Sequence, residues 1–507
     1  MKRAVLLILA VAVLAVGGWI WHVNYSEPDG GGTRTANGSA PSAERGAYLV
    51  RVGNCMACHT DRGGAAWAGG RAIDTPFGIV YSSNLTPDRT TGLGGWSADD
   101  FWRALHHGRS RDGRLLYPAF PYPNYTEVTR EDADAMYAFL RTVPAVQREN
   151  TPHGLRWPYS TQPALAVWRA LYFRPGEYER DTERTAEWNR GAYLVRGLGH
   201  CAACHTARNV LGASSEMMDL SGGLIPMQNW YAPSLASERE AGVAHWTPAD
   251  IARLLRTGAS GQATVLGPMA EVVLYSTQYL NDADALAMGV FLKSLPQAPP
   301  PEPPEFTPAD PRFTERGAKI YEQHCAKCHG ARGEGIRGAY PPLAGNRAVT
   351  LPITANLVQV VLGGGYPPAT AGNPRPYGMP PYVMVLKDAD VAAVLTFLRS
   401  SWGHNAPPVS EFEVAPQRGG ARYSADHFAK GLAKTNIIAT PTPIRKLASI
   451  RPASRNILVC SGSIISGWRT APSMKRPPMV PMPRHAPMAP SPMMRPQASA
   501  ISPVSLM

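Results

Sequence analysis

The chain has 507 residues, too many for one hydrophobic core, and at roughly 100–200 residues per domain its length suggests about three domains. Its net charge of +12 would suit nucleic acid or an anionic surface, but from Pro416 to Met507 there are thirteen Lys/Arg against one acid, Asp426, leaving 37 basic and 37 acidic residues elsewhere. That balance argues against nucleic-acid binding by the body of the chain.

Met1-Lys2-Arg3 precedes an apolar run from Ala4 to about Trp21, which predicts a secretory signal or a membrane anchor over 1–24. Trp19 and Trp21 can anchor at an interface, and no small-x-small cleavage site follows directly, so retention is the favoured reading. Either outcome exports the body. The expected location is the periplasmic face of the inner membrane, or the periplasm if the segment is removed. Residues 25–42 read as a flexible Gly/Ser/Asn-rich tether.

An internal repeat follows. Glu44-Arg45-Gly46-Ala47-Tyr48-Leu49-Val50, Asn189-Arg190-Gly191-Ala192-Tyr193-Leu194-Val195 and Glu315-Arg316-Gly317-Ala318-Lys319-Ile320-Tyr321 each predict a short amphipathic helix. Each leads into a Cys-x-x-Cys-His: Cys55, Cys58 and His59; Cys201, Cys204 and His205; Cys325, Cys328 and His329. This is the attachment pattern of a c-type haem, with two thiols for thioethers and a histidine as proximal iron ligand. One copy alone would also suit a redox dithiol or half a zinc site. Three copies ending in His point to three covalently bound haem c groups, leaving Cys460 as the only other cysteine.

Each unit closes on a second predicted helix: Glu131 to Leu140, Asn281 to Leu295 and Lys387 to Leu398, with acidic first turns. The order helix, motif, loops, closing helix is that of a class I cytochrome c domain. The expected fold is therefore mainly α, with tandem domains at 43–150, 186–296 and 312–414. The connection 151–185, with Trp157, Trp168 and Tyr172, is expected to pack on a neighbour. Residues 297–311 form a stiff proline-rich linker. From 415 to 507 the chain is basic, proline-rich and acid-poor, which reads as disorder; a lipid-binding tail is the alternative.

The residue opposite each proximal histidine tunes the iron. Met379, in Pro376-Tyr377-Gly378-Met379-Pro380, is the predicted ligand in domain 3, with Met384 as a packing alternative. Met269, in Leu266-Gly267-Pro268-Met269, fills that place in domain 2; Met217, Met218 and Met227 compete for it but lie too early in the domain. In domain 1, aligning Trp96-Ser97-Ala98-Asp99-Asp100 with Trp246-Thr247-Pro248-Ala249-Asp250 puts Phe120 opposite Met269, and phenylalanine cannot ligate iron. His106 and His107 are the nearest coordinating candidates; otherwise they are helix-terminal histidines favoured by the macrodipole. Met136 reads as core.

The chain resembles the triheme cytochrome c subunits of bacterial membrane-bound dehydrogenases for alcohol, gluconate, sorbitol and aldehyde. The residues carrying the resemblance are the three motifs, Thr75-Pro76-Phe77-Gly78, Asn84-Leu85-Thr86-Pro87-Asp88, Gly92-Leu93-Gly94-Gly95-Trp96-Ser97, Leu116-Tyr117-Pro118-Ala119-Phe120-Pro121-Tyr122 and Met379-Pro380-Pro381-Tyr382. The resemblance covers about Ala43 to Val414. In the alcohol-dehydrogenase members a methionine ligand occupies the place of Phe120, so that ligand does not carry over. The resemblance implies a dehydrogenase large subunit holding a flavin, pyrroloquinoline quinone or molybdenum cofactor. It also implies a possible small subunit, and ubiquinone or an oxidase as acceptor.

No dinucleotide fingerprint or catalytic triad signature is present, so no substrate-oxidising site is expected. The alternative from another class is a haem enzyme such as a peroxidase, using an open first haem.

Overall fold

The computed structural model describes residues 1–26, 41–214, 219–261, 263–298 and 305–419. Most of the tether, Met217 and Met218, the densest part of the proline linker and nearly all of the basic tail with Cys460 lie outside the described residues. The longer helices are α1 (Lys2–Tyr25), α2 (Ala43–Val52), α3 (Ala98–His107), α4 (Arg130–Leu140), α5 (Gln162–Tyr172), α6 (Ala186–Tyr193), α7 (Pro248–Thr257), α8 (Pro268–Tyr275), α9 (Asp282–Lys293), α10 (Pro311–His324), α11 (Ala355–Gly363) and α12 (Asp388–Ser400). α1 is long and apolar enough to cross a membrane.

The repeat becomes three crossed helix pairs: α2 on α4, α6 on α9 and α10 on α12. Glycine sets the crossing in each. A β-carbon on Gly46, Gly191 or Gly317 would run into the backbone carbonyl of Ala135, Ala287 or Ala393 respectively, so the two backbones touch where a side chain would hold them apart. The spacing from this glycine to the first cysteine is one residue longer in repeat 2 than in repeat 1, and a π-helical turn over Leu194–Leu198 follows α6 there. The closing helices are capped by Thr129 and Asn281, whose side chains accept from the Asp132 and Asp284 amides. The equivalent aspartates are therefore Asp132, Asp284 and Asp390.

The first two repeats share one apolar core. Leu49, Val50 and Met136 of repeat 1 and Leu194, Leu198 and Met288 of repeat 2 belong to a single buried cluster. Repeat 3 has its own, centred on Val358, Val391 and Leu395. A reciprocal exchange fastens the first pair. Tyr48 donates to Asp284 at 2.6 Å, and Tyr193 donates to Asp132 at 2.7 Å. Each aspartate is also held by the arginine of its own repeat, Arg45 on Asp132 at 2.7 Å and Arg190 on Asp284 at 2.7 and 2.8 Å. Repeat 3 carries Lys319 where the others carry tyrosine, and its Asp390 pairs with Arg316 and accepts from the Lys387 amide at the start of its own helix. It is tied to repeat 2 by polar contacts: Asn356 accepts from the Tyr231 amide at 2.8 Å and donates to its carbonyl at 2.7 Å.

Two features were not foreseen. A three-stranded antiparallel sheet, β1 (Ala72–Thr75), β2 (Gly78–Tyr81) and β3 (Gly154–Leu155), joins the loop after motif 1 to the interdomain connection, with Ala72 opposite Tyr81 and Gly78 opposite Leu155. A smaller hairpin, β4 (Gly223–Ile225) and β5 (Trp230–Ala232), occupies the matching place in repeat 2. Trp157 does not pack on a neighbour as expected, being 82 % exposed, whereas Trp168 donates its indole N–H to the Leu211 carbonyl of repeat 2 at 2.9 Å. Ordered structure also passes the expected boundary at Val414. A helical stretch covers 411–419, and Arg418 bonds Asp388 at 2.6 Å as well as the carbonyls of Val383 and Leu386.

Candidate haem sites

In all three motifs the cysteine thiols are free. The thiols are reachable by solvent yet crowded by protein, and burial pushes Cys55 and Cys201 up to about 12 and Cys325 up to about 11. Among the described residues, no group of three or more His, Cys, Asp or Glu side chains is placed to hold a metal ion.

The motif histidines share one device. Nδ1 of His59 lies 2.7 Å from the Ser83 carbonyl, that of His205 lies 2.7 Å from the Pro233 carbonyl, and that of His329 lies 3.0 Å from the Pro341 carbonyl. A carbonyl can only accept, so each Nδ1 carries the proton and each Nε2 keeps its lone pair, which is the arrangement of a ligand histidine with an oriented ring. Burial, partly offset by the carbonyl bond, lowers all three below the usual histidine value, which favours the neutral, ligating imidazole. Two adjacent thiols and a pinned neutral imidazole fit a covalently held haem c.

The backbone register locates the opposite side. α3 and α7 end on Gly108 and Gly258 in the left-handed conformation, at φ 57° and 75°, where glycine avoids the β-carbon penalty. The chain then returns to the same glycine in both repeats, with the Leu116 amide on the Gly108 carbonyl at 2.8 Å and the Val265 amide on the Gly258 carbonyl at 2.9 Å. Phe120 and Met269 both lie four residues beyond that bond. Both are partly buried against the shared core. In repeat 3 the Met379 backbone is clamped by a reciprocal pair of bonds to Gly365, at 2.8 and 2.9 Å. Met379 is partly buried, whereas Met384 is 82 % exposed.

His106 and His107 end α3, with their rings edge-on and centroids 4.6 Å apart. His106 is buried, its Nδ1 lies 2.8 Å from the Thr126 carbonyl, and its ring stacks on Trp102 with centroids 4.4 Å apart. Its counterpart in repeat 2, Arg256, reaches Asp282 at the start of the closing helix. Burial, then the charges of Arg169, Arg109 and Arg103, lower His107 to about 4. Met136 is 1 % exposed and has a core counterpart in Met288.

Motifs 1 and 2 adjoin. Tyr125 donates to the Gly53 carbonyl at 2.8 Å, and its ring meets His200 with centroids 5.3 Å apart. From repeat 2, Ser276 donates to the Val52 carbonyl at 2.7 Å. Cys204 is pushed up by burial and, further, by the nearby Cys58. The approach of the two motifs was invisible in the sequence, although Arg-Gly-Ala-Tyr occurring in only two of the three repeats was a usable signal.

The fold and the paired thiols with their oriented imidazoles define a c-type cytochrome. The family model for cytochrome c matches residues 43–144 and 314–402. The cytochrome c subunit of the quinone alcohol dehydrogenase of Gluconobacter oxydans is 38 % identical over 72 % of this chain and 79 % of its own length. The gluconate 2-dehydrogenase cytochrome c subunit of Pantoea cypripedii is 37 % identical over 72 % and 86 %, and the fructose dehydrogenase cytochrome subunit of Gluconobacter japonicus is 34 % identical over 76 % and 85 %. The chain belongs to the family of cytochrome c subunits of alcohol, gluconate and fructose dehydrogenases.

Proposed function

We propose that this chain carries three haem c groups and passes electrons from a partner dehydrogenase subunit to ubiquinone or an oxidase at the periplasmic face of the inner membrane. The observation that carries the reading is the threefold recurrence of two thiols, three residues apart, beside an imidazole whose Nδ1 is fixed on a carbonyl. His59, His205 and His329 would hold iron from the proximal side, and the paired cysteines would hold each macrocycle. Met269 and Met379 would complete the second and third sites and raise their potentials. One-electron chemistry belongs to the haem. The protein fixes ligands, excludes water and sets distances. Contact between motifs 1 and 2 supports a short hop between their haems.

α1 is proposed to remain as the anchor. Asn24, near its C-terminal end, is buried; it donates to the Ala166 carbonyl at 3.0 Å and accepts from Arg169 at 2.9 Å. A segment destined for removal would leave this buried arginine without that partner. A mature protein starting beyond Tyr25, read by N-terminal sequencing, would contradict retention.

In membranes containing the complex, adding the dehydrogenase substrate (alcohol, gluconate or fructose as trial donors) should reduce the haems. Met379→Leu should remove one of two methionine–iron charge-transfer bands and slow reoxidation. No reduction by any donor oxidised by the co-purifying large subunit would refute the reading.

A further inference from the structure

We infer that the first haem has an open iron face that binds a small neutral diatomic ligand, with Phe120 standing where the second repeat places its methionine. The inference rests on the three-haem reading and deepens it. Its basis is the register: Phe120 and Met269 follow the same helix-ending glycine, the same returning amide bond and the same four-residue step. A phenyl ring has no lone pair to offer iron.

The ring is also wedged in place. Its centroid lies 5.5 Å from that of Tyr125 and 6.3 Å from that of Tyr122. Tyr125 is fixed by its bond to Gly53, and Tyr122 is fully buried edge-on to Phe173, with centroids 4.8 Å apart. Other donors in the vicinity are fixed in place, but His106 and His200 give Nδ1 to a carbonyl as the motif histidines do and keep the Nε2 lone pair, so with His107 they are the internal ligands that compete with an open face. His106 is held by Thr126 and Trp102; His153 accepts from the Tyr81 amide at 3.1 Å. Met136 is core, and His200, against Tyr125 from repeat 2, has Nδ1 at 3.1 Å from the Leu198 carbonyl.

The aromatic surroundings choose the ligand class. Phe120 can neither give nor take a proton, and the Tyr125 hydroxyl is spent on a carbonyl. Peroxide cleavage needs a positioned acid–base group, so these side chains suit an uncharged ligand that coordinates without proton transfer. Binding would form one donor bond from the ligand's lone pair, with no change of oxidation state and no leaving group.

The test uses the full-length, dithionite-reduced holoprotein titrated with carbon monoxide, alongside a haem count by pyridine haemochrome. The expected result is three haems and one carbon monoxide per chain, with binding lost in Phe120→Met and a third methionine–iron band gained there. No carbon monoxide binding with three haems present would overturn the inference and leave the three-haem reading intact, pointing to an internal ligand such as His106 or His200. Binding that persists in Phe120→Met, or more than one ligand bound per chain, would also overturn it. A haem count other than three would instead remove the parent reading.

Discussion

Gly191→Val is expected to unfold repeats 1 and 2 together, whereas Gly317→Val disturbs repeat 3 alone. A side chain at either glycine meets a backbone carbonyl of the closing helix. Carbonyls in a helix cannot rotate away, so the pair must separate, at about 3 kcal/mol or more, the upper end of overpacking costs. The difference in extent follows from the cores. Repeats 1 and 2 share one apolar cluster and repeat 3 has its own. Haem-region circular dichroism during thermal unfolding would read this: Gly191→Val should lose the signal of Met269 ligation and lower the transition of repeat 1, while Gly317→Val lowers only the transition assigned to Met379. Equal, local effects from both substitutions would contradict the shared core.

Asp284→Ala should cost about 3–5 kcal/mol, the range for removing one partner of a buried ion pair. Arg190 and Tyr48 both lose their acceptor, with the Asp284 and Arg190 side chains only 9 % and 29 % exposed. Asp390→Ala removes a partner of the more exposed Arg316, which is 47 % exposed, and the acceptor of the Lys387 amide, and should cost less, about 1 kcal/mol. The same site gives an acid dependence. Burial pushes the Asp284 carboxyl up, but the bonds from Arg190 and Tyr48 and the arginine charges outweigh it, and the group lies below its usual value. A depressed folded-state pKa means the stabilisation is present above the unfolded value of about 4 and is lost as pH falls through the folded value. Acid unfolding followed by the signal of repeats 1 and 2 should show this loss in the native protein and lack it in Asp284→Ala.

Much of the site was legible because haem attachment is written locally. Five consecutive residues supply the thiols and the imidazole, and a helix that delivers them shows its period in the same stretch. Phe120 was readable against Met269 because both follow a glycine that ends a helix, a signal confined to a few residues. The carbonyls of Ser83, Pro233 and Pro341 were not readable: a backbone acceptor has no residue preference, and these lie at three different separations from their histidines. The exchange of Tyr48 and Tyr193 was hidden for another reason. Its partners, Asp284 and Asp132, sit more than sixty residues away, and within one repeat an acidic first turn is fully explained by the helix dipole. The strands were missed because four-residue segments carry too little alternation to outweigh a strong helical pattern elsewhere.

The central claim is that three repeats each hold a haem as one electron-carrying chain. The most direct measurement is the number of haem c groups per polypeptide, by pyridine haemochrome on protein whose intact mass has been determined. The account predicts three, with the mass increased by three covalently attached groups. Two, matching only the segments 43–144 and 314–402 that the cytochrome c family model recognises, would contradict it.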